Sequence, residues 1–441
     1  MLSVYRHMFT IPDLRRKVFF TLGMFAVYRL GANVPTPGIN LARLDQLGQA
    51  AEQSGILGLL SLFGGGLENF AVLGLGILPY ITASIVMQLM GIVVPRIQAL
   101  QEEDAGRKQI TQWTRYLTIV LALIQSTTFV YLAFSGSSIL NGVQLILPSP
   151  TTGKLPIGIA LLAVLTMTAG TAFVMWIGEL ITQKGIGNGM SLLIFVSIVS
   201  AMPGQFTTIY QLTAAAGNWG RFAVFMLTFL FLIIVILYVD QGQRRIPIQF
   251  AKRVRGRRML GGNSTYIPLK VNTAGVIPVI FATSFLIFPA LVVTLIPSNA
   301  TWLETVRVWV DTNYGYTAGS TWIYIFSLFF LIVFFTYFYT AIQFDPYKQA
   351  DSIQRQGGFI PGVRPGRATV AHLEHILNRI TLPGALFLGF VSILPSILSN
   401  IWNIPIGFSG VSLLIVVGVA LETMKQVESQ LTMRNYEGFL T

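Results

Sequence analysis

The sequence predicts an all-α integral membrane protein with ten transmembrane helices. Of its 441 residues, 53% are hydrophobic and only 10% are charged, and the mean hydropathy is +0.67. A soluble domain usually carries about a quarter charged residues. The apolar residues also form long runs, such as the uncharged stretch 222–239, which is long enough to cross a bilayer as a helix.

Ten apolar stretches follow one another along the chain, and each predicts one span. They cover residues 18–33, 71–94, 116–135, 157–181, 187–203, 222–239, 272–297, 321–342, 380–398 and 405–424. An eleventh apolar piece, 56–63, is too short to cross, and the three glycines after it predict a flexible tether. Five spans on each side of a loop near 204–220 suggest an N-terminal half, 1–203, and a C-terminal half, 204–441.

The distribution of lysine and arginine predicts that both termini lie in the cytoplasm. In that orientation most of the 29 basic residues fall on the cytoplasmic side, as membrane proteins prefer. Two cytoplasmic loops then stand out, 240–271 and 343–379. Neither is long enough to form a separate enzymatic domain, so we expect one membrane domain.

The spans lack the residue types that most membrane enzymes and ion-coupled transporters need. The chain has no cysteine, its three histidines lie outside the apolar runs, and it has no phosphate-binding loop. Glu179, Asp240 and Glu422 lie near the cytoplasmic ends of spans, and Arg29 lies close to an outer end, where it can snorkel to the surface. We therefore predict no catalytic residue, metal site or cofactor. A small-solute transporter with broken helices is the alternative from another class.

Eight sequence strings, in order along nearly the whole chain, carry a resemblance to a known family. They are YRLG with PTPGI (28–39), LGLGILPYITASIVMQL (73–89), GRKQITQWTRY (106–116), ITQKGIGNGMSLLIF (181–195), QRRIPIQFAKR (243–253), PLKVNTAGVIPVIFA (268–282), GFIPGVRPGRAT (358–369) and SGVSLLIVV (409–417). With these motifs at matching places relative to the spans, the chain closely resembles the SecY/Sec61 alpha family of protein-conducting channels.

The resemblance implies two five-helix halves around a central pore, which is narrowed by a ring of apolar side chains. By match to the family motifs, this pore ring consists of Ile81, Ile85, Met190, Ile194, Ile280 and Ile415. A narrow apolar constriction excludes water and ions, and its side chains can rotate around a passing polypeptide. Methionine stands at 190 in place of the family's usual isoleucine, and its pliable side chain should preserve the seal. On helical spacing alone, the same residues could be ordinary packing positions.

The resemblance also implies a plug that closes the pore and a lateral gate that opens to lipid. The plug is expected at about 56–66, at Ile56, Leu57, Leu60, Phe63, Gly64 and Gly65. The gate is expected between spans two and three on one side and seven and eight on the other, with Thr82, Ser84, Gln88, Asn272, Thr283 and Ser284 able to hydrogen-bond across it. The alternatives are a surface loop for the first segment and static helix contacts for the polar residues.

Family members use the two large cytoplasmic loops to bind the ribosome and the SecA ATPase. The segment 244–258 carries seven positive charges in fifteen residues, a density that suits RNA phosphates or an acidic protein face. The docking residues implied by the match are Arg244, Arg245, Lys252, Arg253 and Arg364. Each arginine could instead serve only to orient the chain in the membrane.

The function implied by the resemblance is that of a channel in the bacterial cytoplasmic (inner) membrane. Such a channel translocates unfolded secretory proteins, recognises their signal sequences and releases apolar segments into membrane lipid. The expected protein partners are the SecE and SecG subunits, SecA and the ribosome. No covalent chemistry is expected of the chain itself.

Overall fold

The computed structural model describes residues 11–40, 43, 70–135, 145–146, 156–215, 217–250, 253–255, 258–260, 264–295, 301–314, 321–402 and 409–437. The first helices are α1 (Pro12–Ala32), α2 (Leu78–Val93), α3 (Pro95–Glu102), α4 (Asp104–Ser135), α5 (Ile157–Lys184) and α6 (Gly189–Ala215). They are followed by α7 (Trp219–Gln241), α8 (Ile277–Leu295), α9 (Thr301–Tyr314), α10 (Trp322–Gln343), α11 (Pro346–Arg355), α12 (Arg367–Trp402) and α13 (Gly410–Glu437).

The predicted helical membrane fold is confirmed, and each of the ten predicted spans falls on a helix. These helices are α1, α2, α4, α5, α6, α7, α8, α10, α12 and α13. Within the described ranges, six helices are each long and apolar enough to cross a membrane, namely α5, α6, α7, α10, α12 and α13. The bent pair α2–α3 raises that number to seven if it is counted as one span.

Several predicted span boundaries are wrong, because hydropathy does not detect turns or polar helical ends. The second span begins at Leu78 rather than 71, since residues 70–77 form turns. It ends at Val93, and α3 leaves it at 112° after Pro95, which is favoured in a first helical turn and cannot continue a preceding helix. The fifth span continues through Pro203 to Ala215. The ninth begins at Arg367, inside the predicted loop 343–379.

A three-stranded sheet occupies much of the predicted loop 240–271, which the sequence analysis did not anticipate. Strand β1 (Gln243–Phe250) pairs antiparallel with β4 (Ser264–Lys270), and β5 (Gly358–Phe359) pairs with the end of β1, giving the order β4-β1-β5. A separate pair, β2 (Arg253–Arg255) and β3 (Arg258–Leu260), lies between β1 and β4 in the chain. The sheet therefore connects the two large predicted loops, since β5 belongs to 343–379.

The sheet is anchored to the helices by an apolar underside. Ile246 and Ile248 alternate with exposed neighbours along β1, as the two-residue period of a strand requires. Ile246 and Leu269 pack with residues of α11 and α12, including Ala350 and Leu373, in one buried cluster. The sheet is thus part of the folded body and not a free loop.

Helices from the two predicted halves of the chain share one large apolar core. On one side α6 and α7 contact each other and both contact α13. On the other side α4 contacts α8. Most spans contribute side chains to the shared core, which the first helix joins through Tyr28, whose hydroxyl lies 2.7 Å from the Ser197 Oγ of α6.

Candidate functional site

All six predicted pore-ring residues belong to the central apolar core. They come from four helices: Ile81 and Ile85 from α2, Met190 and Ile194 from α6, Ile280 from α8 and Ile415 from α13. Ile194, Ile280 and Ile415 are buried, with exposed fractions of 6%, 8% and 1%. The other three are half-buried and pack against the same cluster. Helices of both halves therefore supply side chains to one apolar centre, although its role as a ring stays a prediction.

Close helix contacts at glycines fix the positions of these side chains. A Cβ added to Gly178 of α5 would meet the Met190 sulfur, and one added to Gly189 of α6 would meet the Gly178 carbonyl oxygen. A Cβ on Gly418 of α13 would lie 3.1 Å from Val276, just before α8. The small residues let α5 approach α6, and let α13 approach the beginning of α8. Met190, Ile280 and Ile415 are thus carried on helices that touch.

The side chains of this core suit a water-excluding seal. Its largest contribution comes from isoleucine, leucine, valine and phenylalanine side chains. A narrow apolar constriction is unfavourable for water and ions, while its side chains can change rotamer when a chain passes. Among the residues that the structure describes, no group of three His, Asp or Glu side chains could hold a metal ion.

The predicted plug, 56–66, lies outside the described residues. The chain on both sides of it is described, however, and the two ends are joined. Pro35 forms a bridge with Ala71, and the Thr36 backbone N–H and hydroxyl both donate to the Phe70 carbonyl, at 2.9 and 2.6 Å. The described residues on either side of the predicted plug segment are thus joined to each other by hydrogen bonds.

The predicted gate residues lie on or beside α2 and α8, but the described hydroxyl bonds stay within one helix. The Thr82 hydroxyl donates to the Leu78 carbonyl at 3.0 Å, and the Thr283 hydroxyl lies 3.1 Å from the carbonyl oxygen of Val279 and 3.0 Å from that of Ile280.

Asn272 is buried just before α8, with no described partner for its side-chain oxygen. The remaining predicted residues differ in exposure: Ser84 and Ser284 are half-buried and Gln88 is exposed. The contact between α4 and α8 is the described boundary between the halves on this side.

The predicted docking residues lie on the sheet and the turn that follows it. Arg244 and Arg245 are exposed on β1, and the Arg245 guanidinium carbon lies 4.8 Å from the centre of the Tyr266 ring on β4.

Arg364 is exposed in the turn after β5, where its carbonyl accepts a bond from the Thr369 hydroxyl at 3.0 Å. Arg253 begins β2, and Lys252 lies outside the described residues. Because β5 pairs with β1, the two predicted docking loops lie side by side.

One ion pair near this side of the membrane was not predicted from the sequence. The Arg115 guanidinium of α4 donates two hydrogen bonds to the Glu179 carboxylate of α5, at 2.7 and 2.6 Å. The residues are 64 positions apart, so no local spacing signals the pair. The two parallel bonds fix the orientation of α4 against α5, in the half of the protein that carries α2.

The chain is similar in sequence and in fold to proteins of one family. A family model described as SecY matches residues 71–424. The protein translocase subunit SecY of Streptomyces scabiei is 47% identical over 449 residues, which cover 100% of both chains. A solved SecY channel, studied for how its plug domain maintains a membrane seal, has a TM-score of 0.62 at 17% identity and covers 94% of this chain and 92% of its own. Sec61 in a canine ribosome-channel complex has a TM-score of 0.57 at 16% identity, with the same two coverages.

Proposed function

The chain belongs to the SecY family, and from this membership we propose that it is the channel through which unfolded proteins cross a bacterial cytoplasmic membrane. One structural observation supports this proposal in addition to the family membership. Ile81, Ile194, Ile280 and Ile415, from helices of both halves, belong to a single apolar core together with Met190. An apolar centre shared between two halves can seal when they are together and widen when they separate.

The proposed pore ring acts by dewetting. At rest, the six side chains leave no favourable site for water or ions, so the membrane potential is maintained. A polypeptide in transit displaces them by rotamer changes and replaces their mutual contacts with its own. The plug proposed at 56–66 would add a second barrier, and the bridge between Pro35 and Ala71 would hold both ends of its segment in place.

The proposed lateral gate lies where α4 contacts α8. The opposite side of the core is held by mutual contacts among α6, α7 and α13, so that side is suited to act as the hinge. Separation at α4 and α8 would expose a translocating segment to lipid. Apolar segments such as signal sequences would then leave the channel sideways, because lipid favours them over the aqueous pore.

The two termini are proposed to lie in the cytoplasm together with the sheet. Ile11 and Leu14 at the beginning of α1 line one cavity with Gln430 and Leu431 at the end of α13, which supports a common side for both ends. The exposed arginines of β1 and of the turn after β5 fit the excess of basic residues on cytoplasmic surfaces.

The partners proposed are SecE, SecG, the SecA ATPase and the ribosome. The chain has no phosphate-binding loop, so the energy for directional movement must come from a partner. The paired sheet strands present Arg244 and Arg245 beside the turn that holds Arg364. Such a basic surface fits both ribosomal RNA and an acidic face of a motor protein.

Reconstitution tests the function directly. The purified chain with SecE and SecG in sealed vesicles is expected to move an unfolded precursor into a protease-protected compartment when SecA and ATP are present. Vesicles with SecE and SecG alone are the control. If the precursor becomes equally protected from protease in vesicles that lack the chain, the proposed function is excluded.

Replacing Arg364 with glutamate is expected to impair SecA-driven export more than ribosome-coupled membrane insertion. The change reverses one charge on an exposed turn, so the fold should persist while the affinity for an acidic partner falls. Precursor protection and insertion are measured in the same vesicles. Arg379→Glu is the control, since Arg379 is likewise an exposed arginine but lies on α12, twelve residues after that helix begins at Arg367. Equal loss of both activities, or of neither, would contradict the docking role of Arg364.

A further inference from the structure

Helix α9 follows the end of α8 that is farther from the sheet along the chain. It follows α8 in the chain, precedes α10 and contacts both of them. The Tyr314 hydroxyl lies 3.3 Å from the Ser327 Oγ of α10, and the Thr321 hydroxyl donates to the Thr312 carbonyl at 3.3 Å. These contacts hold α9 at the level of the first turns of α10.

The helix buries one face against the protein and leaves a second, apolar face uncovered. Val310 and Asn313 are buried, with exposed fractions of 8% and 7%. Val308 and Trp309 are 60% and 53% exposed, and the exposed Thr305 and Thr312 lie on the same side of the helix. A helix in water normally turns polar residues outward, so an outward face of valine and tryptophan indicates an apolar environment.

The polar groups of α9 that the structure describes are satisfied locally. The Thr312 hydroxyl is exposed but donates to the Val308 carbonyl at 2.7 Å, and the Asn313 amide donates to the Trp309 carbonyl at 2.8 Å. A threonine whose hydroxyl bonds to its own helix can lie against lipid at little cost. The charged positions 304, 307 and 311 are spaced three and four apart, which places them along one side of the helix.

Helix α9 contacts α10, whose first turns also expose large apolar side chains. At the beginning of α10, a membrane-spanning helix, Trp322, Ile323 and Phe326 are exposed by 53%, 43% and 58%. Tryptophan is favoured at the level of the lipid headgroups, where its ring contacts apolar chains and its N–H contacts water. Trp309 and Trp322 both stand at this end of the spans.

We propose that α9 is an interfacial helix, with Val308, Trp309 and Thr312 inserted into the adjacent bilayer leaflet. The occupant of its exposed face is therefore the lipid surface, and not another protein or a second copy of the chain. Because α9 contacts both α8 and α10, the lipid would hold these two spans at a fixed depth. This inference does not depend on what the channel transports.

The absence of cysteine from the chain makes a direct test possible. Val308→Cys and Thr312→Cys are each labelled with a nitroxide in the full chain, reconstituted with its partner subunits in phospholipid vesicles. Collision of the label with oxygen, which concentrates in lipid, is compared with collision with a water-soluble nickel chelate. Phe330→Cys on α10, where the native side chain is 68% exposed on a span, gives the lipid reference. Gln354→Cys, exposed on α11, gives the water reference.

Both α9 labels are expected to be more accessible to oxygen and less accessible to the chelate than the label at 354. Their ratio of accessibilities should correspond to a depth of about 5–10 Å below the membrane surface. Two results would overturn the proposal. Accessibility to the chelate equal to that at 354 would mean that the face lies in water. Low accessibility to both reagents would mean that protein covers it.

Discussion

Replacing Ile415 with asparagine is expected to make the resting channel leak ions and to let it accept precursors with defective signals. Ile415 is 1% exposed and belongs to the core in which the predicted pore ring lies. An amide in a narrow apolar constriction favours water, because a buried polar group without a partner is costly and hydration relieves that cost. The ring would then be wetted without a polypeptide, and less signal binding energy would be needed to open it.

Ion conductance across planar bilayers and export of a signal-defective precursor measure the two effects. Ile280→Asn should act in the same direction, since Ile280 lies in the same core. Ile234→Asn on α7 is the matched control, because its isoleucine is 64% exposed on the outside of a span. If Ile415→Asn leaves both conductance and signal stringency unchanged, the assigned ring is wrong.

Replacing Gly189 with alanine is expected to destabilise the folded chain by about 1–3 kcal/mol. The added Cβ would meet the Gly178 carbonyl oxygen, which belongs to the backbone of α5 and cannot rotate away. Helices α5 and α6 must move apart to accommodate the added methyl group. The close contact between Gly178 and Met190 is then lost. The Gly189 N–H, which donates to the Thr182 hydroxyl at 2.9 Å, would lose its partner as well.

Gly204 supplies a matched control on the same helix. A Cβ at Gly204 meets nothing within 4 Å, so Gly204→Ala should be neutral or slightly stabilising. Thermal unfolding in detergent, followed through protease resistance, compares the two variants with the parent chain. Similar midpoints for Gly189→Ala and Gly204→Ala would show that the close approach of α5 and α6 does not limit stability.

The spans could be predicted from sequence because their signal is long and uniform. Each of the ten apolar runs falls on a helix, and six of the described helices are each long and apolar enough to cross a membrane. The helix boundaries were harder to predict from sequence. Helix α12, for example, extends through polar residues such as Arg367 and His375, which carry no hydropathy signal. Helix α9 was missed for the same reason: its three charges hide an apolar face that only the packing reveals.

The sheet was missed although a signal for it was present. The alternation of Ile246 and Ile248 with exposed neighbours is a strand pattern, but the density of arginine favoured interpretation as a charged loop. The pore-ring residues could not be chosen by spacing, because apolar residues at i and i+4 also occur on other spans, for example Ile177 and Ile181 of α5. Only the family resemblance selected Ile81 and Ile85 among them. The Arg115–Glu179 pair depends on helix packing and has no local signature.

The pairing of β5 with β1 has a mechanical consequence. A load applied to the turn 360–366 acts on β5, and main-chain hydrogen bonds transmit it through β1 to β4. Strand β4 ends at Lys270, seven residues before α8 begins. The sheet thus connects the turn 360–366 to the short segment that leads into α8, a helix that also contacts α4. A partner that binds this turn would therefore contact a part of the chain joined through main-chain hydrogen bonds to the beginning of a predicted span.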